Sequence, residues 1–207
     1  MPDTPTTMRV LVAEDDEAAR TALVDVLTSR GYMVVAEVAS GTEAVQQAAQ
    51  LVPDAVLLDV HMPGAMSGVE AAKAITEATP GIAVVLFTGD ASLSLSEDDA
   101  LRSNAVALLP KPVPPATLDA TLRLAVARAH ELLAARQEAQ QAREQLEARK
   151  LIERAKGILM RRTGSSEQEA YRIMQRTSQD RSVPMANIAR AVIESEPGAR
   201  AKATVPR

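Results

Sequence analysis

The sequence predicts an α/β domain with a doubly wound parallel sheet, followed by a long helix and a small all-helical domain. Three observations lead to this prediction. Short apolar runs alternate with amphipathic stretches in the first half, a long segment then lacks glycine and proline, and the last part has apolar residues at helical spacing. Alternating strands and helices are typical of a parallel sheet covered by helices on both faces.

Five apolar runs in the first half are the predicted strands. Each run is apolar on both faces, as expected for strands buried between two layers of helices. The predicted strands are Arg9–Ala13, Met33–Val38, Ala55–Leu58, Ala83–Phe87 and Val106–Leu109.

Amphipathic stretches between these runs predict helices at Glu17–Ser29, Thr42–Leu51 and Gly68–Ala78, with glycine or proline close behind each as a stop signal. A short fourth helix is expected after Gly89, where the segment SLSLSEDD breaks the helical period. Five units, each a strand followed by a helix, would place a ligand crevice at the carboxyl ends of the strands.

The segment from Ala116 to Lys156 predicts one long helix, because it is rich in strong helix formers and has no helix breaker. Within it, five apolar residues follow the alternating three- and four-residue spacing of a coiled-coil seam. They are Leu132, Ala135, Ala139, Ala142 and Leu146. The seam favours a signalling helix with the potential to form a dimer over a solvated spacer, although a mostly alanine interface would associate weakly.

The last part predicts three helices. The first continues from the long segment and ends near Gly164, Ser166 and Glu169 have the spacing of a capping box for the second, and Pro184 begins the third. The residues predicted to face a shared core are Ile152, Ala155, Ile158 and Leu159, then Ala170, Ile173, Met174 and Thr177, then Ile188, Ala191 and Val192. The tail after Pro197 is expected to be disordered.

Composition excludes several classes of function. The chain has no cysteine, which excludes disulfides and thiolate metal sites, and its two histidines are too few for a typical zinc site. No apolar run could span a bilayer, so we expect a cytoplasmic protein. The net charge of -4 hides an acidic first part and a basic last part, which makes the last part a candidate for nucleic-acid binding. A solvated charged face is the alternative.

Acidic residues, a threonine and a lysine follow four of the predicted strands. Glu14, Asp15 and Asp16 follow the first strand, and the remaining strand-end residues are Asp59, Thr88 and Lys111. Parallel strands bring all of them to one edge of the sheet. Clustered carboxylates need a cation, and an all-oxygen site suits Mg²⁺. A carboxylate beside such a cation can attack phosphorus and form an aspartyl phosphate.

This pattern resembles the receiver domain of two-component response regulators, through the motifs VLVAEDD, LLDVHMP, LFTG and LLPKP. The resemblance implies a flavodoxin-like sheet of order 2-1-3-4-5, a histidine kinase as phosphodonor and a bound Mg²⁺. By position, it implies Asp59 as the phosphoacceptor, Thr88 as the switch hydroxyl and Lys111 as the lysine that neutralises the phosphate. The implied metal ligands are Glu14, Asp15, Asp59 and the backbone carbonyl of His61, with Asp15–Asp16 as an alternative acidic pair.

The sequence departs from the receiver pattern at three places. Leu108 stands where the family usually has tyrosine or phenylalanine, and an aliphatic side chain cannot act as the same aromatic switch. The loop from Met62 to Gly68 is one residue longer than usual, and Val113 replaces a common aromatic. We therefore expect phosphorylation chemistry to be intact and the relay to the rest of the protein to be altered.

The segment from Ala148 to Ser195 resembles the ANTAR domain, through AKGILM, SEQEAY and NIARAVI. The resemblance implies a three-helix unit that binds tandem RNA hairpins and prevents transcription termination. The basic residues that would contact RNA are Arg154, Lys156, Arg161, Arg162, Arg172 and Arg176. Tyr171 could stack on an RNA base or lie in the core.

The predicted organisation is a receiver domain at 8–128, a helical linker at 129–147, an ANTAR domain at 148–196 and a tail at 197–207. A response regulator that binds RNA and is not an enzyme is the leading hypothesis, with a homodimer through the linker helix and the ANTAR domain. Two alternatives stay open, namely a DNA-binding response regulator and a protein-interaction module without nucleic acid.

Overall fold

The computed structural model describes residues 7–89 and 105–196. The chain divides into two compact units, with the boundary between Ala135 and Arg136. The short helix expected after Gly89 and the tail from Pro197 onward lie outside the described residues.

The first unit contains a five-stranded parallel sheet of order β2-β1-β3-β4-β5. The doubly wound, flavodoxin-like fold is therefore confirmed, and each predicted strand lies within one residue of its observed bounds. The strands are β1 (Arg9–Ala13), β2 (Met33–Val38), β3 (Ala55–Asp59), β4 (Ala83–Thr88) and β5 (Ala107–Pro110).

Three helices of this unit begin at side-chain caps. They are α1 (Glu17–Ser29), α2 (Gly41–Leu51) and α3 (Gly68–Ala78). Asp16, Ser40 and Ser67 each accept a hydrogen bond from a backbone N–H of the first turn. Such caps satisfy donors that the helix itself cannot pair, and they fix where each helix begins after its strand.

A separate apolar core covers each face of the sheet, because alternate strand residues point to opposite sides. Val10, Val12, Leu57 and Val85 pack on one face with Leu27 of α1 and with four residues further along the chain, Leu118, Leu122, Ala125 and Ala129. Leu11, Val56, Leu58 and Val84 pack on the other face with α2 and α3. Leu108 is half-buried against this second core.

A single helix, α4 (Pro115–Thr163), starts in the first unit and ends in the second. It contains the whole of the predicted long segment and the first predicted ANTAR helix, as the sequence indicated. The predicted seam is exposed to solvent along its length, with Leu132 at 42% and Leu146 at 54% exposure. Nothing in the described part of the chain covers this seam.

The second unit is completed by α5 (Glu167–Arg181), which opens with the predicted capping box at Ser166 and Glu169, and α6 (Met185–Glu194). Its core is formed by Ala155, Met174, Ile188 and Ala189.

Two residues predicted to face that core lie outside it. Ile173 is 45% exposed because the buried line of α5 follows Ala170 and Met174, which leaves Ile173 at its edge. Ala191 is exposed because the buried side of α6 is centred between Ile188 and Ala189, and Ala191 lies about 110° around the helix from that centre.

None of the described helices has a stretch long and apolar enough to cross a membrane.

Candidate functional site

The ends of the strands bring the predicted site residues together at one edge of the sheet. Glu14, Asp59 and Thr88 are buried there, each directly at or after its strand. Lys111 follows β5, and its backbone N–H donates to the carbonyl of Thr88 at 2.7 Å. The parallel sheet is what assembles the site, since these residues are far apart along the chain.

Lys111 is the central cation of this cluster. Its Nζ donates to Glu14 Oε2 at 2.5 Å and to Asp59 Oδ2 at 3.0 Å. The other oxygen of Asp59 accepts from the backbone N–H of His61 at 3.3 Å. Asp59 is therefore held from both sides while its carboxylate stays at the edge of the sheet.

Burial and charge shift the pKa values of this cluster. Burial raises the pKa of Glu14, and the neighbouring Asp59 charge adds to this, despite the hydrogen bond from Lys111. Burial tends to lower the pKa of Lys111, but hydrogen bonds to the two carboxylates outweigh it and leave this pKa raised. The cluster favours additional positive charge, because one lysine is shared by two buried acids.

Three carboxylates of this cluster fit a divalent cation. Glu14, Asp15 and Asp59 each offer an oxygen, and these oxygens lie within 4.8 Å of one another. All-oxygen donors are those that Mg²⁺ prefers. Asp16, the alternative partner of Asp15, instead caps α1 with a 2.7 Å hydrogen bond from Ala19 N–H. The geometry thus brings together the Glu14–Asp15 pair.

Two residues that sequence reasoning did not single out shape this site. Gly68 packs so tightly on β3 that a Cβ there would lie 1.8 Å from the backbone oxygen of Asp59. Arg20 of α1 donates to the backbone oxygen of Glu14 at 2.6 Å. A glycine at the start of α3 was visible in the sequence, but only the packing shows that no side chain fits there.

The basic residues of the second unit are not equivalent. Lys156 is buried, and its Nζ contacts Glu153 at 2.8 Å and Glu167 at 2.7 Å. The hydrogen bonds that Lys156 donates to these two carboxylates raise its pKa. Lys156, which was predicted to contact RNA, therefore forms ion pairs with two acids of its own chain.

The three arginines of α4 that were predicted to contact RNA lie on a different side of the helix from Lys156. At about 100° per residue, Arg154, Arg161 and Arg162 point roughly opposite to Lys156. Arg161 donates to Glu196 and Arg162 donates to Ser195, both at 3.0 Å. Arg154 is exposed on the same side.

On α5, the predicted RNA contacts Arg172 and Arg176 are exposed and one turn apart. Tyr171 is 41% exposed, so its placement in the core, one of the two alternatives from the sequence, is wrong. A Cβ on Gly157 would meet only Arg161 Nη1, at 3.7 Å, so no close helix contact within the described chain requires glycine there.

Comparison with protein families finds two matches. The response regulator receiver domain family matches residues 10–123, and the ANTAR domain family matches residues 140–193. The chain is also 39% identical, over 188 residues and 90% of each chain, to the transcriptional regulatory protein PdtaR of Mycobacterium tuberculosis (strain CDC 1551 / Oshkosh). It is 32% identical to the chemotaxis protein CheY of Thermotoga maritima, over 52% of this chain and 88% of that one.

Solved structures match the first unit. The receiver domain of the sensor histidine kinase PA1611 from Pseudomonas aeruginosa PAO1 has a magnesium ion coordinated in its active site cleft. It matches with a TM-score of 0.53 and 27% identity, over 58% of this chain and 98% of that one. The receiver domain of the response regulator NarL from Mycobacterium tuberculosis matches with the same score and identity, over 61% of this chain and 98% of that one.

Proposed function

Because this chain belongs to the response regulators in which a receiver domain precedes an ANTAR domain, we propose that phosphorylation of Asp59 controls RNA binding by its C-terminal unit. The observation that carries the proposal is the cluster of Glu14, Asp15, Asp59 and Lys111 at the strand ends. In this proposal residues 8–128 are the receiver, 129–147 the linker and 148–196 the RNA-binding domain.

The chemical step is phosphoryl transfer from a phosphohistidine of a sensor kinase. An oxygen of Asp59 attacks phosphorus, the P–N bond breaks, and the histidine nitrogen regains a proton. Mg²⁺, when held by Glu14, Asp15, Asp59 and the backbone carbonyl of His61, supplies positive charge to the transferring group.

The chain's own side chains complete the site. Lys111 already contacts Asp59 at 3.0 Å, so its ammonium can neutralise a phosphoryl oxygen on that residue without a large movement. Thr88 ends the neighbouring strand, where its hydroxyl can donate to a second phosphoryl oxygen. Movement of Thr88 toward the phosphate is the proposed start of the signal.

The output is RNA recognition. The exposed cations Arg154, Arg172 and Arg176 supply phosphate contacts, and Arg161 and Arg162 can add to them by exchanging Glu196 and Ser195 for phosphate. In this proposal Lys156 acts indirectly, because two carboxylates already hold it. Binding to tandem hairpins near a terminator would prevent termination, and the protein would act in the cytoplasm.

A homodimer would strengthen this output. The exposed seam of α4, with Leu132 and Leu146 at its ends, offers a surface for a second copy. Two RNA-binding units in one dimer would bind two hairpins with a gain in effective concentration. We propose that phosphorylation raises the dimer fraction and RNA affinity together. Phosphorylation can shift the monomer–dimer equilibrium only by favouring one of the two states, and here it would favour the dimer that binds RNA. Sedimentation and RNA titration of the same samples test this.

The test of the acceptor is phosphorylation by a small phosphodonor in the presence of Mg²⁺. We expect the wild type to gain one phosphoryl group and Asp59→Asn to gain none, because asparagine lacks the nucleophilic oxygen. Asp16→Asn is the matched control, since asparagine caps a helix as well as aspartate does. Phosphorylation of Asp59→Asn at the wild-type level would place the acceptor elsewhere.

The test of the output compares RNA hairpins with duplex DNA at fixed salt. The proposal expects tighter binding to RNA and a linear fall of log affinity with log salt concentration. Preference for duplex DNA would favour a DNA-binding response regulator, and no salt-dependent binding to either would favour a protein-interaction module.

A further inference from the structure

A groove of about 430 Å³ lies between α4 and α5 in the C-terminal unit. Five of its residues belong to α5, and four of these are spaced i, i+3, i+4 and i+7, so they share one face of that helix. This face points away from the core residues Ala170 and Met174. The lining consists of Lys156, Glu167, Gln168, Tyr171, Arg172 and Gln175.

The charges of the groove are largely paired. Lys156 and Glu167 neutralise each other across it at 2.7 Å, and Glu153 contacts the same lysine. Arg172 is the exposed cation of the lining. A groove with balanced charge attracts a phosphate less than the open arginines nearby do, and it suits an uncharged polar ring better.

The aromatic side chain of the groove is the unusual feature. Tyr171 is one of three aromatic residues in the whole chain, and it is 41% exposed. The side chains of Gln168 and Gln175 lie one turn to either side and carry both donors and acceptors. An open aromatic surface flanked by amides is the arrangement with which proteins hold unpaired bases by stacking and by contacts to the base edge.

We infer that this groove binds one unpaired base of an RNA loop, stacked on Tyr171, with Gln168 and Gln175 at its edge and Arg172 on the adjoining phosphate. The inference rests on the proposed RNA binding and names the part of the RNA that is read. Lys156 is then a positioning residue, since it ties the first turn of α5 to α4 through Glu167.

The experiment uses the full chain and two RNA probes with the same number of phosphates. One probe is a hairpin whose loop has a randomised sequence and carries one 2-aminopurine, and the other is a closed duplex. We expect the wild type to prefer the hairpin and to quench the 2-aminopurine. Tyr171→Leu should lose about tenfold or more in hairpin affinity, with duplex affinity and salt slope unchanged. Tyr171→Phe should retain wild-type affinity because it keeps the ring.

Ile173→Gln is the matched control, because it removes an apolar side chain of similar exposure beside Arg172 but outside the groove. Arg172→Gln should weaken both probes and lower the salt slope by about one. Wild-type hairpin affinity and quenching in Tyr171→Leu would overturn the inference while leaving RNA binding intact. If the wild type shows no salt-dependent binding to either probe, the proposed function fails and the inference fails with it.

Discussion

Two lysines in this chain each contact two carboxylates, but burial is distributed in opposite ways. In the receiver domain Lys111 keeps 28% side-chain exposure, while its partners Glu14 and Asp59 keep 3% and 9%. In the ANTAR domain Lys156 keeps 10%, while Glu153 and Glu167 keep 56% and 67%. Water solvates exposed carboxylates, but buried ones depend on their counter-ion. Ion pairs of similar length are therefore essential for the stability of the receiver domain and replaceable in the ANTAR domain.

Two glycines show the same contrast. Gly68 lies against the backbone of Asp59, so its lack of a side chain is what allows α3 to approach β3. Gly157 lies within α4, and a Cβ there would meet a single flexible arginine at an ordinary distance. The receiver site is built by close packing between distant segments, whereas the C-terminal unit presents side chains on open helical surfaces.

The strongest test of this contrast is to remove each lysine. Lys111→Met should destabilise the chain by about 3 kcal/mol without Mg²⁺, because it leaves two buried carboxylates without their cation. Added Mg²⁺ should restore part of that loss by replacing the missing charge. Lys156→Met should change the unfolding midpoint much less, since its partners remain in water. Denaturant unfolding of both variants measures the difference, and equal destabilisation of the two would show that burial is not what separates them.

The glycine comparison predicts effects of opposite sign. Gly68→Ala should destabilise the receiver by about 2 kcal/mol, because the new Cβ collides with backbone that cannot move aside cheaply. Gly157→Ala should stabilise the chain by about 1 kcal/mol, since alanine is the better helix former and the space is open. Thermal unfolding monitored by circular dichroism distinguishes them. A destabilising Gly157→Ala would mean that a contact outside the described chain segments fills that space.

A third contact in the receiver joins one buried side chain, Tyr32, to a partly exposed carboxylate, Asp119. The hydroxyl of the buried Tyr32 donates to Asp119 of α4 at 2.5 Å, and Arg123 also contacts that carboxylate. Burial and the hydrogen bond to Asp119 raise the pKa of Tyr32 to about 12. In Tyr171→Phe, which leaves Tyr32 as the single tyrosine, absorbance near 295 nm should therefore titrate about two pH units above an ordinary tyrosine.

The same shift fixes the pH range of this contact. A raised tyrosine pKa means that its stabilisation is complete below about pH 10 and is lost as the pH rises through about 12. Hydrogen bonds from Tyr32 and Arg123 lower the pKa of Asp119, so its contribution is complete above about pH 4 and is lost on further acidification. The stability difference between wild type and Tyr32→Phe should be constant between these limits. A Tyr32 titration near pH 10 would show that the hydrogen bond does not form in solution.

The sequence alone determined the order of strands and helices and the residues at each strand end. Asp59 and Lys111 could be placed beside each other from the sequence because a parallel sheet brings the carboxyl ends of all its strands to one edge. The Ser166 capping box and the break-free α4 were equally readable, since caps and helix propensity are local properties.

Only the tertiary structure decided which side chains contact one another and which are exposed. The rotation of α5 against α4 decides three features of the C-terminal unit. It determines that Lys156 is held by acids of its own domain, that Tyr171 is exposed and that Ile173 lies at the edge of the core. That Gly68 must be a glycine depends on the distance between α3 and β3. Helical spacing gives the relative directions of residues on one helix, but packing between helices sets which of those directions faces the core.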